Sequence, residues 1–180
     1  NLFILRFIGS IEASKGGLQG AHIIAVQWEA FSFLPGFALG TAAGTLAGQY
    51  LGSGNKDLAI KSIIYCTSIA VIIMQTIGFL FILYGDFFTE VITNEPVFIK
   101  EVPPILILAG WTQAFFAISM VIRQGLRGAG DTLWTFLITA GSSYLVRIPL
   151  CWVFGIYLGY GLWGVWLGLC VELAIRAFLY

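Results

Sequence analysis

The fold is decided by one short polar turn, Leu126-Arg127-Gly128-Ala129-Gly130-Asp131-Thr132, which separates two long apolar runs. An imperfect copy, Leu51-Gly52-Ser53-Gly54-Asn55, separates two earlier apolar runs. The glycines of each turn can adopt the left-handed backbone that ends a helix, and the Asn or Asp that follows can cap the next helix. Each turn therefore predicts a tight hairpin between two helices. The residues concerned are Gly52, Gly54, Gly128 and Gly130 as glycines, and Asn55 and Asp131 as caps.

The composition predicts that these helices lie in a membrane. The chain has 180 residues, of which 59% are hydrophobic and 10% are charged. A soluble domain carries about 25% charged residues, and so short a chain cannot bury this much apolar surface in one core. We therefore expect an all-α, multi-pass membrane protein of the plasma membrane, with the lipid bilayer as its surroundings. A net charge of zero argues against nucleic-acid binding. The sequence also lacks the Cys and His spacing that is typical of a metal site.

The apolar runs predict a bundle of about five full transmembrane helices plus part of a sixth. The partial helix covers residues 1–13, which is about half of the ~20 residues that a span needs. Because the chain also lacks an initiator Met and a signal peptide, we expect it to be part of a longer protein. The full spans cover residues 21–51, 58–84, 102–124, 132–158 and 160–180.

The prolines predict two helix kinks and the start of one helix. Pro35 and Pro149 fall well inside the first and fourth spans and predict kinks, because proline removes a helical hydrogen bond. Pro103 and Pro104 fall in the first turn predicted for the third span, where a missing N–H is tolerated. Residues 85–101 before them are predicted to form a polar, acidic loop.

The two glycine turns are predicted to lie on the same side of the membrane. Gly52 and Gly128 are 76 positions apart with two apolar runs between them, so two crossings return the chain to its starting side. Basic residues concentrate near both turns, which places the turns in the cytoplasm and the loop 85–101 outside by the positive-inside rule. These basic residues are Lys56, Lys61, Arg123 and Arg127.

Five stretches, taken in their order and spacing, resemble signature segments of the multidrug and toxic compound extrusion (MATE) transporters. The resemblance implies twelve helices in two six-helix lobes, and export of small organic cations in exchange for sodium ions or protons, without a cofactor. It is strongest for the second lobe, which makes residues 1–180 a partial C-terminal lobe whose N-terminal lobe is missing. The stretches are Thr41-Ala42-Ala43-Gly44-Thr45-Leu46-Ala47-Gly48-Gln49, Leu51-Gly52-Ser53-Gly54-Asn55, Leu126-Arg127-Gly128-Ala129-Gly130-Asp131-Thr132, Arg147-Ile148-Pro149-Leu150 and Gly161-Leu162-Trp163-Gly164-Val165-Trp166.

Ionisable side chains inside the spans are the first candidates for an ion or substrate pathway. Charge in hydrocarbon is costly and persists chiefly in a cavity or a pair. Glu29 and Arg147 lie about 13 and 16 Å from the outer ends of their predicted helices, so their depths are similar. Two interpretations stay open for them, a structural ion pair or a site that binds a cation or proton. Glu172 and Arg176 are at i and i+4 with the acid first, an order that favours an ion pair within one helix.

Uncharged polar residues and aromatics complete the candidates. Gln27 and Gln113 could line a pathway, although buried amides also hold membrane helices together. Some MATE transporters carry a cation-binding acid on the third of these spans, but here that span has no acid and Phe116 stands near the matching position. His22 is predicted to lie at the membrane interface, at the outer end of its helix. Trp166 is predicted to serve interface anchoring or packing.

Three classes of function remain open. The first is a secondary antiporter for organic cations, drugs or toxins. The second is a flippase for lipid-linked oligosaccharides, and the third is a non-transporting membrane subunit. An enzyme is not expected, because no nucleophile and base or metal cluster is evident. The chain has no Walker-type loop, so transport would be driven by an ion gradient.

The predicted topology can be tested by cysteine labelling in a variant that lacks the three native cysteines. Ser53→Cys and Ala129→Cys should both react with an impermeant maleimide only from the cytoplasmic side. Asn94→Cys should react only from outside. If the two turn positions reacted from opposite sides, a span would have been miscounted.

Overall fold

The computed structural model of the chain is a bundle of five long helices, which are numbered here in chain order. It describes residues 4–6, 8, 9 and 17–180, and the first five of these are helical. All five long helices are apolar enough to cross a membrane, which confirms the predicted all-α membrane fold with five full spans. The rest of the predicted partial helix 1–13 lies outside the described residues. The helices are α1 Leu18–Gly52, α2 Lys56–Glu90, α3 Pro96–Gly128, α4 Thr132–Tyr157 and α5 Gly161–Leu179.

Both glycine turns form hairpins between adjacent helices. Gly54 has φ 80° and Gly130 has φ 92°, a left-handed backbone that glycine adopts without steric cost. Gly52 and Gly128 are instead the last residues of α1 and α3. The change of direction therefore comes from the second glycine of each turn.

The residue after each left-handed glycine caps the next helix. The side chain of Asn55 accepts a hydrogen bond from the backbone N–H of Leu58 at 3.2 Å. The side chain of Asp131 accepts one from the N–H of Trp134 at 3.3 Å. Each cap satisfies one of the free N–H groups at the start of α2 or α4.

The predicted polar loop 85–101 is wrong in extent. Helix α2 continues to Glu90 and α3 already begins at Pro96, so only a short link joins them. The polar residues after Tyr84 mark a local break, at φ −125° and ψ 27°, after which the helix resumes. Because α3 starts at Pro96, Pro103 and Pro104 lie inside this helix and not in its first turn as predicted.

Helix α4 contains two stretches of wider π-helical winding that the sequence pattern did not indicate. They are Ser142–Arg147 and Val153–Tyr157, and the short α-helical stretch between them contains Pro149. A π-helical turn holds more residues than an α-helical turn and so rotates the side chains that follow. Pro35, by contrast, lies within the continuous helix α1.

Helix α3 is the centre of the bundle and packs against α1, α2 and α5, while α4 packs mainly against α5. Glycines allow the closest of these contacts, as is common between membrane helices. At the contact between α2 and α3, a Cβ atom added to Gly110 would lie 2.5 Å from the carbonyl oxygen of Gly78. A Cβ on Gly78 would meet the carbonyl oxygen of Gly110 at the same distance. The two backbones therefore leave no room for a side chain.

This contact predicts that a methyl group added at Gly110 lowers the stability of the folded bundle. Gly110→Ala should destabilise the folded bundle by about 1–3 kcal/mol, because α2 and α3 must move apart. Gly141→Ala is the matched control, since Gly141 is also helical but a Cβ there would meet nothing within 4 Å. The measurement is the thermal unfolding midpoint in detergent. Equal midpoints for the two variants would contradict the close approach.

Candidate ion and substrate pathway

A cavity of about 180 Å³ lies within the bundle, and we call it the central cavity. Helices α1, α3, α4 and α5 all contribute to its wall, together with Ile4 from the helical residues before α1. Among the described residues, its charged lining consists of one glutamate and two arginines, and the rest is apolar or aromatic. The lining residues are Ile4, His22, Val26, Glu29, Phe116, Arg147, Trp166, Leu169, Leu173 and Arg176.

One carboxylate holds both arginines of this cavity. Arg147 of α4 donates from Nε and Nη2 to Oε2 of Glu172 at 3.1 and 2.7 Å. Arg176 donates from Nε to the other oxygen, Oε1, at 2.8 Å, and its Nη2 contacts the same oxygen. The side chain of Glu172 is fully buried. The predicted i, i+4 pair is therefore present, and Arg147 extends it to a triad that joins α4 to α5.

The triad also uses the first π-helical stretch of α4. Arg176 Nε donates to the hydroxyl of Ser142 at 3.0 Å, and Arg176 Nη2 donates to that of Ser143 at 3.4 Å. Ser142, Ser143 and Arg147 all belong to this stretch. The wider winding thus directs the hydroxyls of Ser142 and Ser143 towards Arg176, and the guanidinium of Arg147 towards Glu172.

Glu29 shares the central cavity with the triad but is not part of it. The prediction that Glu29 and Arg147 lie at similar depth agrees with their common position in this cavity. The hydrogen bonds of Arg147 nevertheless go to Glu172. Within residues 4–6, 8, 9 and 17–180, Glu29 makes no ion pair. The cavity therefore contains a carboxylate whose charge no arginine contacts directly.

A buried hydrogen-bond chain braces the backbone beside Glu29. Gln113 of α3, whose side chain is almost fully buried, donates from Nε2 to the hydroxyl of Ser32 at 2.9 Å. Ser32 in turn donates to the backbone carbonyl of Glu29 at 2.7 Å. Gln113 does not line the central cavity, and Gln27 is exposed and also absent from its wall. Of the two amide candidates, Gln113 thus supports the site indirectly and Gln27 lies outside it.

The predicted interfacial place of His22 is wrong. His22 is buried, and its Nδ1 accepts a hydrogen bond from the indole Nε1 of Trp166 at 3.1 Å. Trp166 is itself buried and packs edge-on against the imidazole ring. His22 does lie near the start of α1, but the sequence alone could not show that α5 covers this end of the helix. Since Nδ1 accepts, the ring carries no proton on that atom in this arrangement.

The spacing of residues along α5 could have indicated which of them line the central cavity. Trp166, Leu169, Leu173 and Arg176 recur at intervals of three and four residues and so lie on one face of the helix. All four line the central cavity. Phe116, at the position where some MATE transporters are expected to have an acid, contributes an apolar ring to the same wall.

Comparison with known proteins identifies the family of the chain. The MatE family model matches residues 3–153. The chain belongs to the MATE family. It is 28% identical over 176 residues to the "Probable multidrug resistance protein NorM" of Thermotoga maritima, a match that covers 98% of this chain and 38% of that protein. A protein of the same name from Pseudomonas putida is 30% identical over 162 residues, with 87% of this chain and 35% of that protein covered.

Solved MATE structures have the same fold. The chain matches an outward-facing multidrug resistance MATE transporter with a TM-score of 0.86 at 18% identity, over 97% of this chain and 40% of that one. An inward-facing structure of such a transporter matches with a TM-score of 0.85 at 18% identity, over 97% and 41%. The chain thus spans about two fifths of the length of the MATE proteins that it matches.

The triad predicts a strong dependence of folding on Glu172. Glu172→Gln leaves two arginine charges facing a neutral amide, and breaking a buried ion pair in this way costs about 3–5 kcal/mol. We expect a large loss of folded protein and a lower thermal unfolding midpoint. The midpoint is measured by tryptophan fluorescence in detergent. Glu90→Gln, which neutralises an exposed glutamate near the end of α2, is the control. Equal stability of the two variants would show that the triad is not required.

Proposed function

We propose that the chain forms most of the C-terminal lobe of a two-lobe MATE antiporter in the plasma membrane, which exports organic cations in exchange for protons. The N-terminal lobe would be a further part of the same protein. The proposal is supported by family membership, by the five spans and by the charge arrangement in the central cavity. Transport would need both lobes, because alternating access moves one lobe against the other around a site between them.

The observation that carries this proposal is the isolated carboxylate of Glu29. The triad of Glu172 with Arg147 and Arg176 has a net charge of +1, and ionised Glu29 brings the total in the central cavity to zero. A proton on Glu29 would raise the total to +1. A cationic substrate would therefore be accepted while Glu29 is ionised and repelled once Glu29 is protonated. This competition for one carboxylate is sufficient to couple the two movements in opposite directions.

The lining of the cavity favours a proton over a sodium ion. A metal cation needs several oxygen atoms to replace its hydration shell. Among the described residues of the wall, Glu29 alone has a side-chain oxygen. A proton needs no more than one carboxylate. The residues present thus suit protonation of Glu29 better than coordination of sodium.

The size of the central cavity limits what it would hold. Pockets for drug-sized ligands have volumes of about 300–1,000 Å³, whereas this cavity has about 180 Å³. It would accommodate the cationic group of a substrate near Glu29, while the remaining part would lie in the space between the lobes. The aromatic rings of Phe116 and Trp166 in the wall suit a cation, since ring faces attract positive charge.

The test is proton-driven efflux by the full-length protein in liposomes with Glu29→Gln. This variant should be expressed normally but should lose most of its efflux under an imposed pH gradient, because its cavity can no longer exchange a proton for a cation. Efflux driven by a sodium gradient at constant pH should be weak for the unmodified protein. Asp86→Asn, which neutralises an exposed acid of α2, should transport normally.

Two outcomes would contradict this proposal in different ways. Full proton-driven efflux by the Glu29→Gln variant would show that Glu29 does not couple. Strong efflux under a sodium gradient alone, abolished by the same substitution, would keep Glu29 in the coupling role but make sodium the coupling ion.

A further inference from the structure

A second cavity, of about 450 Å³, lies between α1 and α3 near the hairpin turns, and we call it the turn cavity. Its α3 side carries Arg123, Gln124 and Arg127. Its α1 side is built from glycines, threonines and one phenylalanine, and the absence of side chains at Gly40 and Gly44 lets Gln124 of α3 approach α1 closely. No acidic residue lines it in the part of the chain that the structure describes. The turn cavity is therefore positively charged and open to small polar groups.

Neither arginine of the turn cavity is neutralised. The two ion pairs found among the described residues both involve Glu172, which leaves Arg123 and Arg127 without a carboxylate. The Nε of Arg123 is buried and has no hydrogen-bond partner. An unsatisfied N–H on a buried charged group is costly, and such groups in native proteins generally have an acceptor. An acceptor that enters the turn cavity would satisfy this N–H, and an anionic one would also neutralise the charge.

The turn cavity lies at the end of the bundle that carries the two glycine turns. Arg127 is the residue before the end of α3, and Arg123 lies one turn deeper, about 6 Å along the helix. On the topology inferred from the basic residues, this end of the bundle faces the cytoplasm. Basic pockets between helices on that side are suited to anionic head groups.

We propose that the turn cavity binds a phosphate group through Arg123 and Arg127. The phosphate would belong either to the head group of an anionic lipid or to a free phosphate ion. Guanidinium groups donate several hydrogen bonds in a planar array that matches phosphate oxygens. This site is separate from the central cavity and does not depend on transport activity.

The test is lipid binding to the delipidated full-length protein, measured by native mass spectrometry. Phosphatidylglycerol should bind about tenfold more tightly than phosphatidylcholine with the same acyl chains, because only the first has a net negative head group. Arg123→Gln should abolish this preference. Arg127→Gln should weaken it, and because Arg127 is exposed this variant tests the site even if Arg123→Gln does not fold. Lys61→Gln, an exposed lysine outside the cavity, should leave it unchanged.

Calorimetric titration of the same protein with inorganic phosphate distinguishes the two sources of the phosphate group. Binding of inorganic phosphate that is lost in Arg127→Gln would support the free ion, and selective binding of phosphatidylglycerol alone would support the lipid. Absence of both would overturn the proposal, and would be expected if an acidic residue of the other lobe fills the cavity. A lipid preference that survives both arginine substitutions would overturn it as well.

Discussion

The shared carboxylate of Glu172 is the interaction on which the arrangement of the C-terminal helices depends. Helix α4 packs mainly against α5, and Glu172 joins the two by accepting from Arg147 on one oxygen and from Arg176 on the other. Removing three charges from water is costly, and this cost is offset only where the hydrogen bonds are nearly complete. The π-helical stretch of α4 contributes to that completeness, because its two serines accept from Arg176. The local winding of α4 and the triad thus support each other.

The triad also determines that Glu29, in the same cavity, is left without an arginine partner. Because Arg147 is hydrogen-bonded to Glu172, the carboxylate of Glu29 makes no ion pair within the described residues. The backbone beside Glu29 is held by Ser32, so the carboxylate is presented from a braced segment of α1. In the proposed function, protonation of Glu29 beside this triad changes the charge of the cavity by one unit. Both features arise from residues on three different helices, α1, α4 and α5.

Part of this arrangement could be predicted from the sequence. Composition and glycine turns were sufficient for the five spans, because the apolar runs are long and the capping residues are local signals. Helix depth predicted that Glu29 and Arg147 lie at similar depth, but only the structure shows that they line one cavity. The end of α2 was misjudged because a helix of 35 residues is longer than the hydrocarbon thickness of a bilayer, so polar residues after Tyr84 can still belong to it. The π-helical stretches could not be predicted, since they depend on contacts with α5.

The partner of Arg147 was missed although the sequence contained a signal for it. Helices α4 and α5 are antiparallel and joined by a turn at residues 158–160, and Arg147 and Glu172 are nearly equidistant from that turn. Equal distance along two antiparallel neighbours predicts equal depth, about 16 Å from the turn for each residue. Glu29 is predicted to lie at a similar depth, so depth alone does not show whether Arg147 pairs with Glu172 or with Glu29. The choice depends on the rotation of each helix about its own axis. That rotation is set by packing and by the π-helical winding.

The most direct test of this account is a pair of double-mutant cycles on unfolding stability, both centred on Arg147. One cycle combines Arg147→Gln with Glu172→Gln, and the other combines it with Glu29→Gln. Residues in direct contact show coupling energies of about 0.5–3 kcal/mol, whereas independent sites are additive within about 0.5 kcal/mol. The account predicts strong coupling in the first cycle and near-additivity in the second. Strong coupling between Arg147 and Glu29, with none between Arg147 and Glu172, would contradict it.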